Sequence, residues 1–213
     1  MSPVAAHIQN GLALLKEINS GTPDMAEIKR LIDAGADLEQ TAGDIQQRTP
    51  LLAACATSHC EEAVRLLLQA GANTEARNQN GATALMMAVL TKNIDTVSLL
   101  VAHKAHLDDT GFKGMTPLMW AANLGARDIA VFLVQAGART DIKSRSGKTA
   151  ADYAEDNGKP HIARDIRKIS TERRAAKEAF HAAISAGMPL EKDVTPLHLP
   201  ALKRRAKGAS LNR

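Results

Sequence analysis

The chain has 213 residues, 45% of them hydrophobic but only 2% aromatic, and a formal net charge of +4. That length and apolar content support a sizeable core, one that must be assembled from Leu, Ile, Val, Met and Ala. The charge is uneven: Lys159 onward carries 13 Lys/Arg against 5 Asp/Glu, while the residues before it carry 14 against 18, so an acidic body precedes a basic end.

Two cysteines, Cys55 and Cys60, cannot form a disulfide framework or a four-ligand zinc site, and are expected to be reduced thiols. The opening MSPVAAHIQNGLALLKEINSG lacks a basic start followed by an apolar run. The longest apolar run, Ala84 to Leu90, is too short to span a bilayer. A cytoplasmic protein without a membrane span is the expectation.

In chain order, Val4, Ile8, Leu12, Leu15 and Ile18 recur every three or four residues and predict an amphipathic helix. Asn19 to Pro23 ends it, and Asp24 opens a second helix carrying Ile28, Leu31 and Ile32. Three fuller units follow: RTPLLAACATSHCEEAVRLLLQAGA, NQNGATALMMAVLTKNIDTVSLLVAHKA and GFKGMTPLMWAANLGARDIAVFLVQAGA. A more polar fifth, SRSGKTAADYAEDNGKPHIARDIRKI, reads as a terminal cap.

The register is tight. Thr49, Thr83, Thr116 and Thr149 are 34, 33 and 33 residues apart, and Gly81, Gly114 and Gly147 are 33 and 33 apart. Thr is a good helix N-cap, and Pro after it suits the first helical position. Ala53, Ala54, Ala88, Ala121 and Ala122 keep the first helix of each unit thin, while Leu67-Leu68, Leu99-Leu100 and Leu133-Val134 stripe the second. Gly71 and Gly137 suit a left-handed helix stop, and Lys104 breaks that rule.

On these residues the chain resembles the ankyrin repeat family, whose unit is a glycine-bearing hairpin turn, a Thr-Pro-Leu-His opening, two alanines and a Leu-Leu…Gly-Ala ending. TPLL, TALM, TPLM and TAAD stand at the tetrapeptide, and the resemblance covers about residues 4–169. It implies an all-α ankyrin-repeat solenoid of stacked helix-turn-helix units with β-hairpin-type loops, plus a C-terminal helix and tail. The expected organisation is a capping repeat over 4–36, with its outer face to water. Repeats at about 37–72, 73–105, 106–138 and 139–169 follow, then a helical extension over 170–188 and a basic flexible tail over 189–213. The extension would begin at Ser170 or Thr171 and pack across the last repeat. Leu52, Met86, Met119 and Asp152 replace the family's His, so its hydrogen bond to the turn is expected to be absent. The turn before Gln47 is two residues longer than its counterparts, and one residue is inserted near Ser58.

No catalytic constellation emerges. The His residues are scattered without an HExxH pair, and Gly147-Lys148-Thr149 lacks the upstream glycine of a phosphate loop. No catalytic residue, cofactor, metal or small-molecule substrate is therefore expected. Trp120, beside two alanines, reads as core. The resemblance implies binding of another protein through the tips and a concave groove. Positions that vary while the framework repeats are Ile45, Gln46 and Arg48; Gln79, Asn80 and Ala82; Phe112, Lys113 and Met115; and Arg145, Ser146 and Lys148 at the tips. Leu90, Thr91, Asn123 and Leu124 belong to the groove. Apolar Phe112 and Met115 on an exposed turn point to a contact. The alternative is an adaptor whose tail cations Lys203, Arg204, Arg205 and Lys207 meet nucleic acid or another acidic surface, or a translocated bacterial effector.

Overall fold

The computed structural model describes residues 3–20, 22–41, 47–57 and 60–185. Ten helices occur there in five pairs: α1 (Pro3–Ile18) with α2 (Met25–Asp33), α3 (Pro50–Cys55) with α4 (Glu61–Gln69), and α5 (Ala84–Leu90) with α6 (Ile94–Ala102). They continue as α7 (Pro117–Leu124) with α8 (Arg127–Ala136), and α9 (Ala150–Asp156) with α10 (Pro160–Ser185). The described residues contain no strand, so the turns between pairs are hairpin-like only in their hydrogen bonds. Ile45, Gln46, the insertion near Ser58 and the tail over 189–213, including Lys203, Arg204, Arg205 and Lys207, lie outside the described residues.

Each recurring Thr acts as the spacing predicts. Thr49, Thr83, Thr116 and Thr149 are N-caps whose hydroxyls accept from the backbone N–H of Leu52, Met86, Met119 and Asp152 at 3.3 to 3.5 Å. That satisfies one of the donors every helix start leaves open. At the last repeat the replacement for His restores a contact instead of losing one. The Asp152 carboxylate accepts from both the N–H and the hydroxyl of Thr149, each at 2.8 Å.

The second helices end alike. Gly71, Lys104 and Gly137 all have positive φ, and the residue after each donates back to the residue four before it. Lys104 adopts this left-handed geometry at φ 63° without glycine's freedom.

Packing runs between neighbours: first helix on first helix (α1–α3–α5–α7–α9), second on second (α2–α4–α6–α8–α10), and within each pair. Leu51, Leu52, Leu67, Leu85, Leu100, Leu118, Ile129 and Leu133 form one continuous core through the stack. Cys55 and Cys60 are free and buried in it, and burial pushes the Cys55 thiol well above its usual range.

Two expectations need correction at the ends. α1 does not bury its whole apolar period: Leu14, Leu15 and Ile18 are inside, but Val4, Ile8 and Leu12 stay 68%, 41% and 45% exposed. The packed face of α1 runs instead through buried Gly11, Leu14, Leu15 and Ile18, with the bare side of Gly11 against the 37–40 loop. A Cβ there would sit 2.8 Å from the Asp37 carbonyl oxygen. At the other end, no new helix starts at Ser170 or Thr171. α10 runs unbroken for 26 residues, with Ser170 Oγ 2.9 Å from Thr140 Oγ1 and the Thr171 hydroxyl donating to the Arg167 carbonyl.

Replacing Lys104 by Gly is expected to stabilise the protein by about 1 kcal/mol, since a left-handed L-residue costs ~1–2 kcal/mol. Thermal melts should rise by about 2–4 °C. Asp152 supplies a pH test. The Thr149 N–H and hydroxyl hold its carboxyl below the usual range. Its contribution is therefore present above the unfolded-state pKa and lost as pH falls through the lower folded one. The melting difference between wild type and Asp152→Ala should be full at neutral pH and shrink below about pH 4.

Candidate functional site

The third, fourth and fifth tips are shaped by short backbone ladders. At the third, Asn78 N–H donates to the Ala82 carbonyl, and the Asn78 side-chain oxygen accepts from the N–H of Asn80 (3.0 Å) and Ala82 (2.9 Å). This Asx turn leaves Gln79 and Asn80 exposed. At the fourth, Gly111 N–H reaches the Met115 carbonyl, and Phe112–Gly114 form one 3₁₀ turn. At the fifth, Ser144 N–H reaches the Lys148 carbonyl, while the Tyr153 hydroxyl bonds the side chains of Ser144 and Ser146, both at 3.0 Å.

The tips are locked to one another. Arg77 donates to the carbonyls of Gly81 (3.1 Å) and Thr110 (3.0 Å), and Arg145 N–H donates to the Lys113 carbonyl at 3.0 Å. Gly111 permits the close approach, because a Cβ there would meet Met86 Sδ at 2.7 Å and the Gly81 oxygen at 3.3 Å.

Beneath the third and fourth tips lies a cavity of about 290 Å³. Asn78, Asn80 and Ala82 form its upper wall, Met86, Met87 and Leu90 of α5 one side, and Phe112 and Trp120 the other. Phe112 is 54% exposed and Leu90 40%, unusual for side chains of their size. The Lys113 ammonium stands 5.3 Å from the centre of the Phe112 ring, a cation–π distance.

Of the tip and groove residues singled out in the sequence, Asn80, Ala82, Leu90 and Phe112 converge on this cavity, with Lys113 at its edge. Met115 does not belong with them. It is 3% exposed, because the chain turns inward after Gly114 to deliver Thr116 to its cap, so the expectation of an apolar tip contact at Met115 is wrong. The Thr91 hydroxyl is spent on its own helix end, donating to the Ala88 carbonyl at 3.1 Å with those of Met87 and Cys55 at 3.4 Å. Asn123 accepts from the Asn157 side chain at 3.0 Å, and Leu124 is half-buried against the core. Lys148 is tied to Asp156 at 2.7 Å, which raises its pKa. Gln79 and Arg145 are exposed but outside the cavity lining, and Arg48 is half-buried.

Sequence reasoning missed Trp120, which packs on the core yet stays half-exposed as a wall of the groove. The signal was present: Trp120 stands 33 residues after Met87, and both precede the groove positions Leu90 and Asn123 by three. One helical turn puts such positions on one face.

Glu75, His106 and Asp109 also converge, with one ligand-type atom from each within 4.8 Å of the others. Two of their atoms face each other, Glu75 Oε2 at 3.1 Å from His106 Nδ1, and others serve the loops. Glu75 Oε1 accepts from the His106 N–H at 3.0 Å, and Asp109 pairs with Arg77 at 2.7 Å. Similar carboxylate bridges join Glu39 to the Asn73 N–H and Asp108 to the Arg139 N–H.

Paired short helices, capped at a 33-residue period and stacked neighbour on neighbour, define a linear repeat scaffold with an apolar groove under its tips. A family model described as ankyrin repeats (3 copies) matches residues 15–111 and 56–144. The chain belongs to the ankyrin repeat family, whose members are generally protein–protein interaction modules. It is similar to ankyrin repeat domain-containing protein 63 of Mus musculus, at 37% identity over 120 residues. That match takes in 53% of this chain but only 31% of the relative, so the chain spans about a third of that protein. Cyclin-dependent kinase inhibitor 2A of Homo sapiens is 31% identical over 151 residues, covering 70% of this chain and 94% of the relative. Rabankyrin-5 of Homo sapiens is 29% identical over 167 residues, 78% of this chain and 13% of its own length. No helix among the described residues is long and apolar enough to cross a membrane.

Trp120 offers a direct check of the groove. Phe112→Ala should red-shift its emission and increase acrylamide quenching, with the far-UV circular dichroism unchanged.

Proposed function

We propose that this chain is a non-enzymatic binding module that holds a partner protein in the groove beneath its third and fourth tips. The observation that carries the reading is the meeting of exposed Leu90 and Phe112 with half-exposed Trp120 around one cavity. Large apolar side chains left open together on a rigid framework favour association, and aromatic residues dominate binding energy where they fill pockets. The amides of Asn78 and Asn80 give the same cavity a few polar contacts for orientation. The repeat stack supports recognition by a preformed surface. A relative whose name records inhibition of a cyclin-dependent kinase supports action by binding, without chemistry of the module's own.

Affinity capture tests this. The wild-type chain should retain a specific protein that Leu90→Ala/Phe112→Ala releases, with affinity falling by about 10- to 100-fold and melting temperature unchanged. Retention of that protein by the double variant, or its loss on deleting residues 189–213 alone, would move recognition from the groove to the tail.

A further inference from the structure

The chemistry around the groove selects among partners. Its lining is apolar or amide and carries no ionisable group. At its edge, charge appears with one sign. Lys113 is exposed and stands over the Phe112 ring, and exposed Arg145 is held beside it by its backbone bond to the Lys113 carbonyl. Among the described residues no carboxylate pairs with either cation. Asp156 is taken by Lys148, Asp109 by Arg77, and the Asp108 carboxylate accepts from Arg139 N–H. The preceding tip, Gln79-Asn80, is uncharged. Cations without a carboxylate partner thus stand on the side of the groove facing the later repeats, on a body whose residues up to 158 carry more Asp/Glu than Lys/Arg.

We propose, resting on the groove reading above, that the occupant is an extended acidic segment of a partner protein carrying one large apolar side chain. That side chain fills the space between Leu90, Met87, Phe112 and Trp120. A carboxylate about two or three residues along the segment, each adding ~3.3 Å, reaches Lys113 or Arg145. The apolar anchor supplies most of the affinity, and the cations supply orientation and discrimination. The chain's own basic cluster, Lys203 to Lys207, has the same sign as the rim and is a poor occupant.

Trp120 is the single tryptophan of the chain, so its emission reads the groove directly. The full chain is titrated with a synthetic peptide bearing one Leu or Phe among Glu residues. Controls are the peptide with Lys for Glu, the peptide with Ala for the anchor, and a single-stranded oligonucleotide. Saturable emission change with the acidic peptide is expected, weakened about tenfold or more by the Ala anchor or by Phe112→Ala. Lys113→Asn with Arg145→Gln should weaken it severalfold and flatten its salt dependence. Asn tolerates the left-handed backbone of residue 113, so the fold is kept. No saturable response, equal binding of the Lys peptide, tighter binding of the oligonucleotide, or indifference to these substitutions would each overturn the proposal. If a captured protein is still released by Leu90→Ala/Phe112→Ala while the acidic peptide fails, the partner chemistry is wrong and the groove reading stands.

Discussion

Everything in this stack depends on how closely the first helices approach one another. Ala53, Ala54, Ala88, Ala121, Ala122 and Ala154 are all fully or almost fully buried at those contacts, with no side chain beyond Cβ to hold the backbones apart. Aromatics make up only 2% of the chain, and the rings on first helices, Trp120 and Tyr153, stay partly exposed at the side of the core. Because the layers are thin, the turns above them must stack as well. The Arg77 clamp, the contact of Gly111 with Gly81 and the Arg145–Lys113 backbone bond follow from that forced proximity. The groove opens between α5 and α7, where Met86, Met87 and Leu90 face Trp120 and the Phe112 ring.

The acidic body has a structural use within this arrangement. Glu39, Glu75 and Asp108 each accept a backbone N–H from the following repeat, so three of the carboxylates join loop to loop. Charge-assisted bonds of this kind are stronger than neutral ones. They lie at the exits of the second helices, apart from the tips, and leave the tips free to differ in sign.

The periodic parts were legible because one residue type performs one backbone task. The four Thr caps, the Gly71 and Gly137 stops and even the Lys104 exception follow from spacing and local stereochemistry. The misreadings concern direction. Met115 and Phe112 sit on the same short turn, yet left-handed Lys113 and Gly114 send one side chain inward and the other outward, a difference spacing does not encode. Trp120 was assigned by its alanine neighbours when its register with Met87 decides its exposure. Thr91 shows how a polar groove residue can be absorbed by its own helix end. At α10, Ser170 and Thr171 resembled a cap, but no Gly or Pro interrupts the chain between Pro160 and Ser185, and helix simply continues.

That continuation makes α10 about 39 Å long at 1.5 Å per residue, against ten residues for α8 beside it. Ile162, Ala163 and Ile166 are buried in the last repeat, and Arg173 still donates to the Val134 carbonyl at the end of α8. From Arg174 to Ala179 every residue is exposed, supported by little more than the Arg174–Glu178 pair. Such pairs contribute a few tenths of a kcal/mol, and unpacked helix is marginal in water. One unbroken element therefore has two lifetimes. Its first turns open only when the terminal repeat unfolds, while its last turns wind and unwind on the microsecond scale of an isolated helix.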